Sequence, residues 1–419
     1  MMRFPVAHAT HPDWNMALGL VVAQLKAALA GVSSPPPLGL VYLTDHFAAQ
    51  AEALLAGLRQ AVPSVSSWSG AVSIGVLADE AEYLDEPALA VMLLDLPESE
   101  FCVFSGIAPL PSHFDAHTAL VHADADMTEL GENVRELASR MVSGSVFGAL
   151  STTRSRVVQV AHQPGQDAEE SVLEGGLSGV AFTHRIGVQM RLIHGCKPIG
   201  RERVLTEAEG NLLLALDGEP ALDQMLGDLN VSLDQPRQAL HAVRDTLLAI
   251  NGRPEAERRY AGQLPAKAHV RSVVGVDPSR SGLALAEAVD EGATVTFCQR
   301  DRAFARADLT RVCTALRESL EPEALDAVQA QRLLAQAEAP DRESRWLHAG
   351  LESERIAGAV YMSCVSRGGG YFGAPGAELQ LLRHALGRVP VVGLMAGGEI
   401  AHDAVHGFSG VLTVFLRED

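Results

Sequence analysis

Short apolar runs without strict polar alternation constrain this chain most. Leu38-Gly-Leu-Val-Tyr-Leu43, Ala88-Leu-Ala-Val-Met-Leu-Leu94, Thr118-Ala-Leu-Val-His122 and Val391-Val-Gly-Leu-Met-Ala396 are too short for a typical buried helix. Runs of this length and composition read as strands covered on both faces. Between them lie segments with helical periodicity. Behind Asp13, which reads as an N-cap, the residues Trp14, Ala17, Leu18, Val21, Val22, Leu25 and Leu29 fall on one face. Ala48, Leu54, Leu55 and Leu58 do the same within 46–61. Strand and helix signals alternate, so the expected fold class is α/β to α+β: two domains of mixed β-sheets covered by helices.

The 419 residues suffice for two or three domains with substantial cores, and an apolar share of 47% argues against disorder. A net charge of -19 argues against nucleic acid as a partner, because phosphate contacts need clustered Lys and Arg. No segment reads as a signal peptide or membrane span. The five cysteines are odd in number and lack CxxC spacing, which fits a reduced, cytoplasmic protein. His8, His11, His113, His117 and His122 have no recognised metal-ligand spacing, so no metal is expected. A homodimer is compatible with this surface.

The N-terminal half reads as an internal duplication of a strand–helix–strand unit. The first copy takes a strand at Leu38–Leu43, a helix over 46–61, a small-residue strand from Ser66 to Val76, and Ala88–Leu94. The second takes Thr118–His122, a helix at about 127–141, Val146–Ser151 and Gly179–Phe182. The most natural boundary falls near 220, dividing the chain into 1–220 and 221–419. Residues 222–250 read as mostly helical, 251–268 as a polar loop, and 318–347 as a charged, Ala- and Gln-rich stretch that is helical or partly mobile.

The densest chemistry lies in the last third. A strand ending at Cys364 runs into Arg367 and Gly368-Gly369-Gly370, and a second runs into Gly397-Gly398-Glu399. Side by side, they would bring a guanidinium, a thiol and a carboxylate to one place lined by little side-chain bulk. Arg367 suits a carboxylate and Glu399 an ammonium, which together fit a zwitterion such as an amino acid. The competing reading is that the two pair with each other or cap helices. Cys364 beside an arginine is a candidate nucleophile only if a histidine reaches it, and otherwise a small apolar residue. Residues 368–373 match G-x-G-x-x-G, the spacing of a dinucleotide-binding turn, in a region where glycine is abundant. Ala71-Val-Ser73-Ile-Gly75 resembles a nucleophile elbow but lacks a helix start. The expected binding set is Arg367, Glu399, Cys364, Gly368, Gly369, Gly370 and Gly398, with no catalytic residues and no cofactor. The alternative is a cysteine- or nucleotide-dependent enzyme using Cys364 or the 368–373 loop.

One ordered set of motifs spans nearly the whole chain. It runs from His8-Ala-Thr-His-Pro-Asp-Trp14 through Gly195-Cys-Lys-Pro-Ile-Gly200 and Leu216-Asp-Gly-Glu-Pro-Ala221. It continues through Gln299-Arg-Asp301, Ser363-Cys-Val-Ser-Arg-Gly368 and Gly397-Gly-Glu-Ile400 to His406-Gly-Phe. The chain thereby resembles the FIST (F-box and intracellular signal transduction) family, with an N-terminal FIST domain in 1–220 and a C-terminal one in 221–419. Ser366, where the family pattern has Gly, and the run of glycines after it mark departures at the rim of the expected pocket. The resemblance implies a bacterial, standalone sensory module that binds a small ligand and signals to a protein partner. It implies no catalytic residues.

Overall fold

The computed structural model describes residues 4–166, 169–232, 245–252, 268–320 and 355–417, with 243 and 264. Two compact units interleave along the chain. The first takes Met1–Ile193, Leu309–Asp403 and Gly410–Asp419, and the second His194–Asp308 and Ala404–Ser409.

The chain starts with β1 (Val6–Thr10), α1 (Trp14–Leu29), β2 (Leu38–Thr44), α2 (Ala51–Ala61), β3 (Ser67–Ser73), β4 (Gly75–Ala78), β5 (Ala81–Leu84) and β6 (Ala88–Leu94). It continues with β7 (Phe101–Ser105), β8 (Thr118–Asp124), α3 (Leu130–Ser139), β9 (Val146–Ser151), β10 (Val158–His162), β11 (Val172–Glu174), β12 (Leu177–Phe182) and β13 (Val188–His194). The second unit supplies β14 (Cys196–Pro198), β15 (Arg203–Glu209), β16 (Leu212–Leu216), β17 (Glu219–Pro220), α4 (Ala221–Leu229), β18 (Thr246–Asn251), β19 (His269–Asp277), β20 (Gly282–Leu285) and β21 (Thr294–Arg300). The remaining elements are α5 (Arg302–Leu320), β22 (Ile356–Cys364), α6 (Ala377–Leu386), β23 (Val391–Ala396), β24 (Gly398–His402), β25 (Ala404–His406) and β26 (Ser409–Leu416).

Three sheets of the first unit follow one strand order. The first sheet runs β1-β6-β2-β3-β10-β11, the second β7-β12-β8-β9-β24, and the third β13-β26-β22-β23-β4-β5. In each, a parallel pair is joined through a helix: β2–α2–β3, β8–α3–β9 and β22–α6–β23. The strand after each pair leaves its own sheet. Thus β4 pairs with β23, β10 with β3, and β24 with β9, all antiparallel. Every sheet is therefore completed by a strand borrowed from another. Gly70, Gly148 and Gly393 hold the equivalent place in the three parallel ladders, opposite Val41, Val121 and Tyr361. A Cβ there would stand 1.7, 1.8 and 1.7 Å from the partner's carbonyl oxygen, so only glycine fits.

The inner faces of the three sheets share one apolar core, with Leu40 and Met92 from the first, Phe147 and Val180 from the second, and Val360, Leu394 and Phe415 from the third. Phe147, Phe182 and Phe415 pack ring against ring at centroid distances of 6.4, 6.4 and 5.3 Å. On the outer face of the first sheet, α1 and α2 bury Leu18, Val21, Leu54 and Leu58. On that of the third, α5 and α6 bury Leu309, Leu316, Leu379 and Leu382.

The second unit is built on a closed ring. The strands β21-β15-β16-β20-β19-β18 pair in that order, all antiparallel, and β18 pairs back to β21. Leu205, Leu213, Leu248, Val295 and Phe297 form its core with Leu222 and Met225 of α4.

Two expectations change. The apolar run Ser66–Val76 is not one strand: β3 ends at Ser73, and β4 begins at Gly75 in a different sheet. Hydrophobicity is continuous across the switch because both strands are fully buried. The helical reading of 222–250 is met at α4 and at residue 243 and gives way to a strand at Thr246–Asn251, while 233–242 and 244 lie outside the described residues. Most of 251–268 and of 318–347 lies outside the described residues.

Candidate functional site at the strand carboxyl ends

The three parallel ladders end at Thr44–Ser73, Asp124–Ser151 and Cys364–Ala396. The Ser73 hydroxyl ties these ends together. It donates to the Met395 carbonyl at 2.6 Å and accepts from the Thr152 N–H at 3.3 Å. The Ile74 N–H donates to the Thr152 carbonyl, and that of Gly397 to the Leu150 carbonyl. The carboxyl ends of all six parallel strands thus converge, the place where α/β sheets most often bind ligands. Ser73 spends its hydroxyl on main-chain bonds, and β4 rather than a helix follows it, which leaves the nucleophile-elbow resemblance without its geometry.

The strand pleat sorts the C-terminal candidates. Tyr361 and Ser363 point to the helix-covered side of the third sheet, where Glu378 enters from the first turn of α6. Tyr361 Oη and Ser363 Oγ each donate to a Glu378 oxygen at 2.7 Å. Arg367, in a short 3-10 turn after β22, donates its Nε to the same carboxylate at 2.9 Å, and its Nη2 also reaches it. The guanidinium stacks over the Phe372 ring at 5.1 Å. Arg367 is 2% exposed and Glu378 4%, so the pair is enclosed. Burial alone would weaken the guanidinium's hold on its proton, but Glu378, Tyr361 and Glu399 outweigh it and raise the pKa. Burial, reinforced by Glu378, pushes the Tyr361 phenol well above its usual range, so it serves as a neutral donor. The Arg367 Nη1 is buried without a hydrogen-bond partner.

Met362 and Cys364 point the other way, toward the shared interior. Glu399, on β24, faces the interior beside Ala149 of β9 and is fully buried. The Cys364 thiol lies 3.1 Å from the Ser366 hydroxyl. Arg367 therefore bonds Glu378, which the sequence reading passed over. Glu399, the residue it named, acts on the guanidinium electrostatically.

Glu82 of β5 governs the glycine loop. Its two oxygens accept from the N–H groups of Gly369 and Gly376, the latter the N-cap of α6. Burial raises its pKa despite these bonds. An incoming pyrophosphate would have to displace this carboxylate. Gly368 packs where a Cβ would meet Met395 Cε at 2.5 Å, and Gly398 pairs with Leu150.

A latch lies at the edge of the same end. Asp45, just after β2, accepts the Arg154 main-chain N–H at 3.0 Å, Nε at 2.9 Å and Nη2 at 2.7 Å. Burial would raise the Asp45 pKa, yet Arg154 holds it below the usual carboxylate range. In the second unit, Arg300 stacks on Phe408 and Asp301 caps Phe304 N–H at 2.8 Å, so both serve packing.

Three sheets around a common core, with polar groups gathered at one end, define a mixed α/β protein. A family model for the FIST N domain matches residues 37–219, and one for the FIST C domain matches 221–402. The chain belongs to the FIST family, whose domains are generally considered sensory signal-transduction domains. An uncharacterized protein of Mycobacterium tuberculosis is 25% identical over 99% of this chain and all of its own length. Another, of Mycobacterium bovis, is 25% identical over the full length of both. Among the described residues no helix is long and apolar enough to cross a membrane.

Proposed function

We propose that the protein is a cytoplasmic, non-catalytic sensor that binds a small polar metabolite, such as an amino acid, at the carboxyl ends of the parallel strands. The single observation that supports this is Arg367: a fully enclosed guanidinium, held on one side by Glu378, with Nη1 left unpartnered at the convergent end. A buried N–H donor without a partner is costly, and a ligand carboxylate would satisfy it. Glu399 would receive the ammonium. Cys364, Gly368, Gly369, Gly370 and Gly398 would line the approach with little bulk. Occupancy would favour one arrangement of the 368–376 loop and so alter a surface read by a signalling protein.

The test is calorimetry of the full chain against the amino acids, with Arg367→Lys and Glu399→Gln as variants that keep the volume. Binding that weakens at least about tenfold in each variant supports the reading. No binding by any amino acid, or affinity indifferent to both substitutions, overturns it. The same reading takes 1–220 and 221–419 as the two family domains. Because β4 pairs with β23 and β24 with β9, fragments cut at 220 should fold only when co-expressed, and independent folding of either would refute that interdependence.

A further inference from the structure

The interior of the first unit becomes polar toward the convergent strand ends, and its polar residues are unevenly satisfied. On the first sheet, the inner face carries Tyr42, Ala71 and Gln159 in one row across β2, β3 and β10. On the second, it carries Ser178, His122, Ala149 and Glu399 across β12, β8, β9 and β24. The two rows meet: Tyr42 Oη and His122 Nε2 are 3.1 Å apart, and Gln159 Nε2 donates to the Gly176 carbonyl at 2.7 Å, two residues before Ser178. Tyr42, His122, Gln159 and Ser178 are all 0% exposed. Yet His122 Nδ1, Gln159 Oε1, Ser178 Oγ and, one row nearer the strand ends, Ser151 Oγ have no hydrogen-bond partner. Buried polar atoms are nearly always satisfied, so several orphans in one seam require an occupant. Ala71 stands between Tyr42 and Gln159 in the first row, and Ala149 between His122 and Glu399 in the second.

Resting on the proposed head-group site at Arg367 and Glu399, we infer that this seam receives the side chain of the same metabolite, and that this side chain is an uncharged amide or hydroxyl. The seam's imidazole is neutral, since burial lowers the His122 pKa to about 3. Gln159, Ser151 and Ser178 carry no charge either, so an ionised ligand tail would enter without a counter-charge. An aliphatic tail would leave the same atoms unpaired, and sites built to bond a polar group reject analogues that lack it.

The experiment uses glutamine, asparagine, leucine and glutamate as probes on the full chain, by calorimetry and thermal shift, with Gln159→Leu and Ser178→Ala as variants. Gly176 O keeps a second donor, the Asp124 N–H, when Gln159 is replaced. Glutamine or asparagine should bind at least about tenfold tighter than leucine and glutamate. Gln159→Leu should erase that preference without lowering the melting temperature of the unliganded chain. Leucine binding as tightly as glutamine overturns the inference and leaves the head-group reading intact. A preference that survives both substitutions, or a melting temperature several degrees lower in both, also overturns it, the latter because the seam would then be a structural network. Absence of binding by all four probes also overturns the inference, whereas the head-group reading falls only when no amino acid binds.

Discussion

Two buried polar regions of the first unit differ in how fully they are satisfied. Beneath α6, Glu378 gathers Arg367, Tyr361 and Ser363, and nearly every polar atom has a partner. Between the first and second sheets, Tyr42, His122, Gln159 and Ser178 lie equally deep, but several of their atoms have none. The first region gains its order from within the chain and leaves one donor, Arg367 Nη1, for the proposed ligand. The second is arranged for something the chain does not itself supply. Burial alone does not distinguish a structural polar cluster from a receptive one, but the tally of hydrogen bonds does.

The sharpest way to break the comparison is to remove the hub of the satisfied cluster. Glu378→Leu strands a buried guanidinium and should cost about 3–5 kcal/mol in urea unfolding, the usual penalty for splitting an enclosed ion pair. A loss below about 1 kcal/mol would show that the cluster is not what holds α6 to its sheet. A second test reads pH. Folded His122 binds its proton only near pH 3, whereas a histidine in the unfolded chain binds near 6.5. The unfolded state thus holds more protons in between. Stability from the neutral imidazole is complete above pH 6.5 and is lost as pH falls toward 3, by about 1.4 kcal/mol per pH unit. His122→Gln should remove that part of the slope between pH 6 and 4, and an unchanged slope would place the acid sensitivity elsewhere. The smallest effect is expected at Ser178. Removing an unpartnered hydroxyl by Ser178→Ala should leave stability unchanged or raise it by up to about 1 kcal/mol. A clear loss would mean that the hydroxyl has a structural partner and would erase the contrast between the regions.

Much of the architecture was legible because buried strands leave uninterrupted apolar runs. Ala88–Leu94 and Val391–Ala396 are found where the sequence places them. What periodicity could not show is which sheet a strand joins. Ser73 and Gly75 are separated by one residue and belong to different sheets, a fact written only in distant pairings. The third sheet was harder still to see, because most of the second unit, His194–Asp308, intervenes between β13 and β22. At the candidate site, Arg367 and Glu399 stood out as charges at strand ends flanked by glycine. Glu378 did not, because a glutamate in the first turn of a helix reads as an ordinary solvated residue favouring the helix dipole. Gln159 and His122 did leave a trace, as single polar residues inside the apolar strands Val158–His162 and Thr118–Asp124. That trace carries meaning only once the pleat shows which face is enclosed.

The borrowing of strands between sheets also sets a timetable for synthesis. The first sheet has all its strands once residue 174 has left the ribosome. The second must wait for Gly398–His402, and the third for Ser409–Leu416 at the very end. For most of translation the nascent chain therefore exposes two unfinished sheet edges. Those edges stay open to pairing until β26 has emerged, and only then can the shared core close.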